Sequence, residues 1–197
     1  MKRAEKGFSL LELVVVVAVM LIVTAISLPT VRRTVNSYRL DVTGHAVASM
    51  LQQVRSAAVK NDTPYYVQYD GVAGPGLAFA VPAARYIPLT YVPNTDPTVS
   101  VATNVGFMPV GGVPPNDAQL QAAMGLGAGV VPQIGGPIGF SARGLPCTLT
   151  GTAWRCTGPV AFEWFMQNNI TQQWEAITVS PAGRIRSWRM TGAGVWQ

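Results

Sequence analysis

The feature that most restricts how this chain can fold is an apolar run near its N-terminus. Residues 13–31 are 19 residues without a charge, and Glu12 alone interrupts the wider apolar stretch over residues 8–28. As a helix, the 21 residues of that stretch span about 31 Å at ~1.5 Å each, which matches the hydrocarbon core of a bilayer. The run therefore predicts a helix that enters a membrane.

Two interpretations of the run follow from its flanks. A basic start followed by an apolar run describes both a cleaved secretory signal and a membrane anchor, and residues 25–27 offer a small-x-small cleavage sequence. The apolar core is longer than the roughly 7–15 residues of a signal, and Arg32 and Arg33 follow it as in a stop-transfer segment. These observations favour the anchor.

Two cysteines indicate the compartment. Cys147 and Cys156 bracket the sequence CTLTGTAWRC, whose Thr-Gly-Thr can form the turn of a hairpin. A pair of this kind predicts a Cys147–Cys156 disulfide in an oxidising compartment, so the C-terminal portion is expected outside the cytoplasm. Two reduced, buried thiols are the alternative.

Composition argues against several classes of protein. Hydrophobic residues make up 49% of the chain and charged residues 12%; the charged share is about half the usual one, and the apolar share argues against intrinsic disorder. Two cysteines cannot build a four-ligand zinc site, and His45 is the one histidine that a catalytic triad could use. With no recognisable acid/base pair or activated nucleophile, we predict neither an enzyme nor a cofactor or metal.

Helical periodicity continues beyond Pro29. Apolar residues recur at spacings of three or four and give one stripe: Val31, Val35, Tyr38, Val42, Ala46, Met50, Val54 and Ala57. The pattern ends at Asn61-Asp62-Thr63-Pro64, so we predict a helix of roughly 50 residues. We expect it to bend near Pro29, where a backbone hydrogen bond is missing, and Gly44 to mark close packing.

The remainder reads as strands and loops, and the predicted class is α+β, with the long helix packed on antiparallel sheets. A Gly/Pro-dense segment over 106–137 predicts a long loop with a helical turn at 116–124. The strands are predicted at 65–69, 77–81, 86–92, 99–107, 138–140, the cysteine hairpin, 160–166, 174–179 and 184–188.

The sequence GFSLLELVVVVAVMLIV, starting at Gly7, resembles the prepilin signature of type IV pilins and type II secretion pseudopilins. The resemblance implies that a prepilin peptidase cuts after Gly7 and methylates the new N-terminus, Phe8. Glu12 takes the place of the family's buried glutamate, and Pro29 falls where many pilins have a helix-bending proline.

Glu12 is also a functional candidate on physical grounds, because a carboxylate inside an apolar helix costs a few kcal/mol on insertion scales. The new α-amino group of Phe8 in a neighbouring subunit is a natural partner for it in a packed filament. Snorkelling of Glu12 to the nearby membrane interface is the alternative.

The resemblance also implies an organisation and a location. It assigns 1–7 to the leader peptide, 8–31 to the transmembrane and filament-assembly helix, 32–62 to the amphipathic continuation of the helix, and 63–197 to a β-rich periplasmic domain. The chain would be a single-pass protein of the inner membrane, in contact with membrane lipid. Its partners would be other pilins or pseudopilins and the inner-membrane assembly platform.

Within the family, three stretches resemble H-type pseudopilins and FimT-type minor pilins. They are MLQQVRSAAVKNDTPYYVQY at 50–69, IGFSARG at 138–144 and ITVSPAGRIRSW at 177–188. The resemblance implies a structural subunit of a type II secretion pseudopilus or a type IV pilus.

The sequence GRIR, at 183–186, carries a sharper implication. In FimT-type minor pilins a Gly-Arg-x-Arg motif near the C-terminus is associated with DNA binding in natural transformation. Alternation along a strand places Arg184 and Arg186 on one face, with Arg189 nearby to assist and Trp188 exposed for stacking on a base. The alternative is a solvated edge strand on which arginine prevents aggregation.

Overall fold

One long helix precedes all the strands. The computed structural model describes residues 9–70, 76–86, 90–108, 113–127, 129–150, 153–156 and 158–197. Helix α1 runs from Leu10 to Lys60, over 51 residues. It ends where the sequence predicts, because Asn61 leaves the helical conformation and Pro64 follows.

Pro29 lies inside α1, and the helix continues on both sides of it. The proline ring has no N–H to donate to the carbonyl one turn earlier. The helix is thus continuous at Pro29, and a bend at this residue stays a prediction.

The rest of the described chain forms short strands and one further helix, α2 (Asp117–Met124). The strands are β1 (Tyr65–Asp70), β2 (Leu77–Pro82), β3 (Thr98–Ser100), β4 (Val105–Phe107), β5 (Gln133–Ile134), β6 (Ile138–Phe140), β7 (Pro146–Thr150), β8 (Ala153–Arg155), β9 (Phe162–Asn168), β10 (Trp174–Val179) and β11 (Ile185–Arg189).

The strands make two sheets. In the described residues the first has the order β3-β2-β1-β6-β7-β8 and the second β11-β10-β9-β4, with β5 added to β9. Neighbouring strands are antiparallel except β5 and β9, which are parallel. The second half of α1 contacts strands of both sheets, and the main apolar core lies between them. The molecule thus has the predicted α+β architecture.

The buried face of α1 differs from the predicted stripe. Met50 and Val54 of the predicted stripe are buried, whereas Val31, Val35, Tyr38 and Val42 are exposed. The buried residues of α1 are Asn36, Leu40, Thr43, Gly44, Val47, Ala48, Met50, Leu51, Val54 and Ala58. The two stripes are offset by about one residue. Gly44, Ala48 and Ala58 belong to the buried set, and such small residues let the helix approach the sheet closely.

Two predicted strands also differ. Residues 83–85, just ahead of the predicted 86–92 strand, form a 3₁₀ turn, and in 86–92 only Tyr86 makes a strand-like bridge, while 87–89 lie outside the described residues. The predicted 99–107 strand is divided into β3 and β4 by a turn in which Asn104 takes a positive φ of 68°. Asparagine tolerates this left-handed conformation and so allows the turn.

Candidate functional site

The first half of α1 is an apolar rod that its own domain leaves uncovered. The helix is long and apolar enough to cross a membrane, and none of its most apolar 18-residue window is buried. Glu12 lies in its first turn and is exposed. Gly7 and Phe8, the predicted processing site, lie outside the described residues.

The domain packs against α1 from Asn36 onward, which is the first buried residue of the helix. Asn168 Nδ2 donates to Asn36 O at 3.0 Å, and Ser37 Oγ donates to Gln173 Oε1 at 2.6 Å. These bonds tie the helix to the end of β9 and the loop before β10, close to the end of the apolar rod.

Gly44 marks a close contact, as predicted from the sequence. A Cβ atom at position 44 would overlap the carboxylate of Glu175 on β10, which is 2% exposed. Burial, and secondarily the charge of Asp41, raises the pKa of Glu175 to about 8, while Arg189 acts in the opposite direction. The packing of helix on sheet therefore depends on a carboxyl group that is easier to bury when protonated.

A second carboxylate, Glu163 on β9, is fully buried on the other face of the same sheet. Neither of its oxygens has a hydrogen-bond partner in the described part of the chain. Burial, with a smaller contribution from Asp117 on α2, raises its pKa to about 7. Within the described ranges no group of three or more His, Cys, Asp or Glu is placed to hold a metal ion.

A disulfide joins Cys147 and Cys156, whose Cα atoms lie 4.2 Å apart. It links the start of β7 to the residue after β8, so it closes the hairpin that these strands form. Cys147 is buried in a cluster with Tyr66 and Trp154, whose rings stack with centroids 3.4 Å apart.

The arginines of the GRIR segment lie at an edge of the second sheet. Arg184 and Arg186 are exposed, and the Arg186 guanidinium lies over the Trp188 ring, 5.5 Å from its centroid. Trp188 is half-buried and its Nε1 donates to Thr178 Oγ1 at 2.9 Å. The expectation of an exposed tryptophan was wrong, because the ring packs in an apolar cluster and Arg186 lies over it.

Arg189 has a different environment from the other two arginines. Its Nη1 lies 3.9 Å from Asp41 Oδ1, and its Nη2 donates to Gln173 Oε1 at 3.4 Å. The structure therefore ties Arg189 to α1, whereas Arg184 and Arg186 have no carboxylate within 4 Å in the described ranges.

Two turns of the same construction meet beside Arg184. They cover residues 141–144 and 180–183, and each ends in a glycine with positive φ, 73° at Gly144 and 76° at Gly183. In both, the glycine N–H donates to the serine carbonyl, and the serine N–H donates to the carbonyl of the residue after the glycine. The serine hydroxyl accepts from that residue's N–H. This pattern fixes the position of the arginine that precedes or follows each glycine.

Arg55 of α1 joins the two turns. Its Nε donates to Gly144 O at 2.9 Å. A Cβ atom at Gly183 would lie 2.6 Å from Gly144 O and 3.1 Å from Arg55 Cζ. Glycine is required at 183 both by this contact and by its positive φ. We call Gly144, Gly183 and Arg55 the glycine junction.

The sequence analysis singled out 138–144 and 177–188 by resemblance, but it predicted neither that their glycine turns touch nor that Arg55 lies between them. Likewise nothing in the pattern of β10 marks Glu175 as the partner of Gly44. One signal was present, because a short strand that is apolar at nearly every position is expected to be buried on both faces, including any charged residue within it. Glu163 and Glu175 both interrupt otherwise apolar strands.

The N-terminal part of the chain matches a family model. Residues 2–28 match the prokaryotic N-terminal methylation motif of pilins. No curated protein and no solved structure matches the chain. The matched residues include the first part of the uncovered apolar helix, so motif and helix together support a pilin-like N-terminal segment that can anchor the chain in a membrane.

Proposed function

We propose that this protein is a minor pilin or pseudopilin, a structural subunit of a type II secretion pseudopilus or a type IV pilus. The observation that carries the proposal is the division of α1. The described part of its own domain leaves the apolar half exposed, whereas the second half is packed on both sheets. An apolar surface of this size needs lipid before assembly and other apolar helices afterwards.

Processing at the N-terminus prepares that helix for assembly. The prepilin peptidase cuts after Gly7, removes residues 1–7 and methylates the amino group of Phe8. Glu12, four residues further on, pairs with the methylated ammonium of a neighbouring subunit. The pairing compensates for the cost of burying the Glu12 carboxylate among apolar helices.

The proposed location follows from the division of α1 into an exposed apolar half and a packed half. Residues 8–31 cross the inner membrane once, residues 32–62 continue the helix, and residues 63–197 form a periplasmic domain. The Cys147–Cys156 disulfide supports this orientation, because such bonds persist in oxidising compartments. Other pilins and the inner-membrane assembly platform are the partners, and the short resemblances noted above favour an H-type pseudopilin or a FimT-type minor pilin.

The processing step is tested by the intact mass of protein extracted from membranes. We expect a mature chain that begins at Phe8 and carries one added methyl group. A Gly7→Leu variant should keep residues 1–7, because a bulky side chain hinders the bond that is cut. Mature protein beginning near Leu28 would indicate an ordinary secretory signal and would overturn the pilin proposal.

A second candidate function is DNA capture by the filament. The observation in its favour is that Arg184 and Arg186 are exposed and have no carboxylate partner in the described ranges. Guanidinium groups in this state can bind phosphates, with Arg189 assisting if it leaves Asp41. Phosphate contacts alone give no sequence preference.

A salt titration of full-length mature protein in neutral detergent tests this function. Three phosphate contacts predict a slope of log affinity against log salt of about −2 on single-stranded DNA and about −3 on duplex. The Arg184→Gln, Arg186→Gln double variant should lose most of the affinity. Equal binding by wild type and variant, or no binding at low salt, would reject DNA capture and leave the structural role.

A further inference from the structure

The glycine junction brings together arginines that are distant in sequence. Arg143 immediately precedes Gly144 and Arg184 immediately follows Gly183, and both arginines are exposed. Because Gly183 packs against the Gly144 carbonyl, the backbones that carry the two arginines are held side by side. Arg186 comes two residues after Arg184, so in an extended backbone the two arginine side chains lie on the same face.

In the described part of the chain, no carboxylate lies within 4 Å of these cations. Among the described residues, the ion pairs are Arg85 with Asp96, and Asp41 with His45 and Arg189. Arg143, Arg184 and Arg186 take part in none of them. Arg55 adds a fourth guanidinium, bonded through Nε to a neutral carbonyl rather than to a carboxylate. Such a concentration of unpaired positive charge favours an anionic ligand.

We propose that Arg143 binds phosphate together with Arg184 and Arg186, so that the nucleic-acid surface extends across the glycine junction from β11 to the turn before β7. The inference rests on the DNA-binding candidate function and assigns a residue to it that the GRIR motif does not contain. Arginine suits this task because its planar fork binds two phosphate oxygens at once.

The phosphates of a nucleic acid fit this surface better than those of a lipid. Arg55 lies 24 residues beyond Val31, the end of the uncharged run, which is about 36 Å along a helix at 1.5 Å per residue. The junction is thus far from the lipid headgroups of the membrane in which the same chain is anchored. A soluble polyanion can reach it in the membrane-anchored chain, since Arg143 and Arg184 are exposed there.

Binding of a labelled oligothymidylate to the full-length mature protein, in neutral detergent and at several salt concentrations, tests the proposal. Arg143→Gln should weaken binding about tenfold at low salt, as Arg184→Gln does. It should also reduce the magnitude of the salt slope by about 0.7, the contribution of one phosphate contact on a single strand.

Arg39→Gln is the matched control. Arg39 is an exposed arginine on α1, and the substitution removes the same charge about 24 Å along the helix from Arg55. It should leave the affinity within twofold of wild type. Circular dichroism and a thermal melt establish that all variants fold alike.

The outcomes distinguish the extended surface that includes Arg143 from DNA capture by Arg184 and Arg186 alone. If Arg184→Gln weakens binding and Arg143→Gln does not, the extended surface is wrong and DNA capture by the GRIR arginines stands. If Arg39→Gln weakens binding as much as Arg143→Gln, general charge attraction explains the result and the site is wrong. If wild type does not bind, DNA capture itself is rejected, and the extension with it.

Discussion

Glu175 is a buried carboxylate whose Oε2 has no hydrogen-bond partner among the described residues, and it makes the stability of the domain depend on pH. Its pKa is about 8, against an ordinary value of 4.5, chiefly because of burial. Between these two values the folded protein holds a proton that the unfolded chain releases. The free energy of unfolding therefore falls as the pH rises from about 4.5 to 8.

Glu175→Gln should remove most of this dependence, because an amide does not ionise. We expect the variant to be more stable than wild type at pH 8, by a few kcal/mol at most as an order of magnitude, with little difference at pH 5. Chemical unfolding at a series of pH values measures it. Glu163→Gln should act in the same direction with a transition nearer pH 7, since burial also raises the Glu163 pKa.

Asp62→Asn serves as the control for charge removal at an exposed acidic residue. It should leave the slope of stability against pH unchanged. If Glu175→Gln shows the same pH profile as wild type, the carboxyl group is solvated in solution and the close contact with Gly44 is not maintained.

Among the elements, the β7–β8 hairpin is the one held by a covalent bond. Closing a loop of about ten residues should stabilise the domain by roughly 2–3 kcal/mol on the chain-entropy model. The Cys147→Ser, Cys156→Ser variant should therefore unfold at lower denaturant concentration, with helix content by circular dichroism unchanged. Free thiols at both positions in protein taken from the cell envelope would contradict the periplasmic orientation.

Element by element, the sequence predicted what local patterning determines. The extent of α1, the turn after it and most strand positions follow from periodicity and from proline and glycine. The buried face of α1 followed only in part: Met50 and Val54 are buried as predicted, but nearer the membrane the covered face lies about one residue further along, and only packing decides this. Thr43 is buried with its hydroxyl satisfied, because Oγ1 donates to Arg39 O one turn earlier and accepts from the Ala102 N–H. At Asn36 the bond to the domain is made by the backbone carbonyl, which accepts from Asn168 Nδ2.

For the molecule as a whole, the predicted class, a long helix on antiparallel sheets, matches the structure. The candidate site was only partly accessible from sequence. Arg184 and Arg186 are recognisable within a motif, whereas Arg55 and Arg143 join them through contacts between residues 89 and 39 positions apart. Contacts at such separations leave no periodic signal, so the glycine junction is visible only in three dimensions.

The continuity of α1 also has a mechanical meaning. The 51 residues from Leu10 to Lys60 form a rod of about 77 Å at 1.5 Å per residue, and no flexible linker separates its lipid-facing half from its packed half. A pull on the N-terminal end is therefore transmitted straight into the strands of both sheets that contact the helix. Because strands of both sheets contact the helix, the force is distributed over many contacts at once. Separating the domain from its helix therefore requires these contacts to break together.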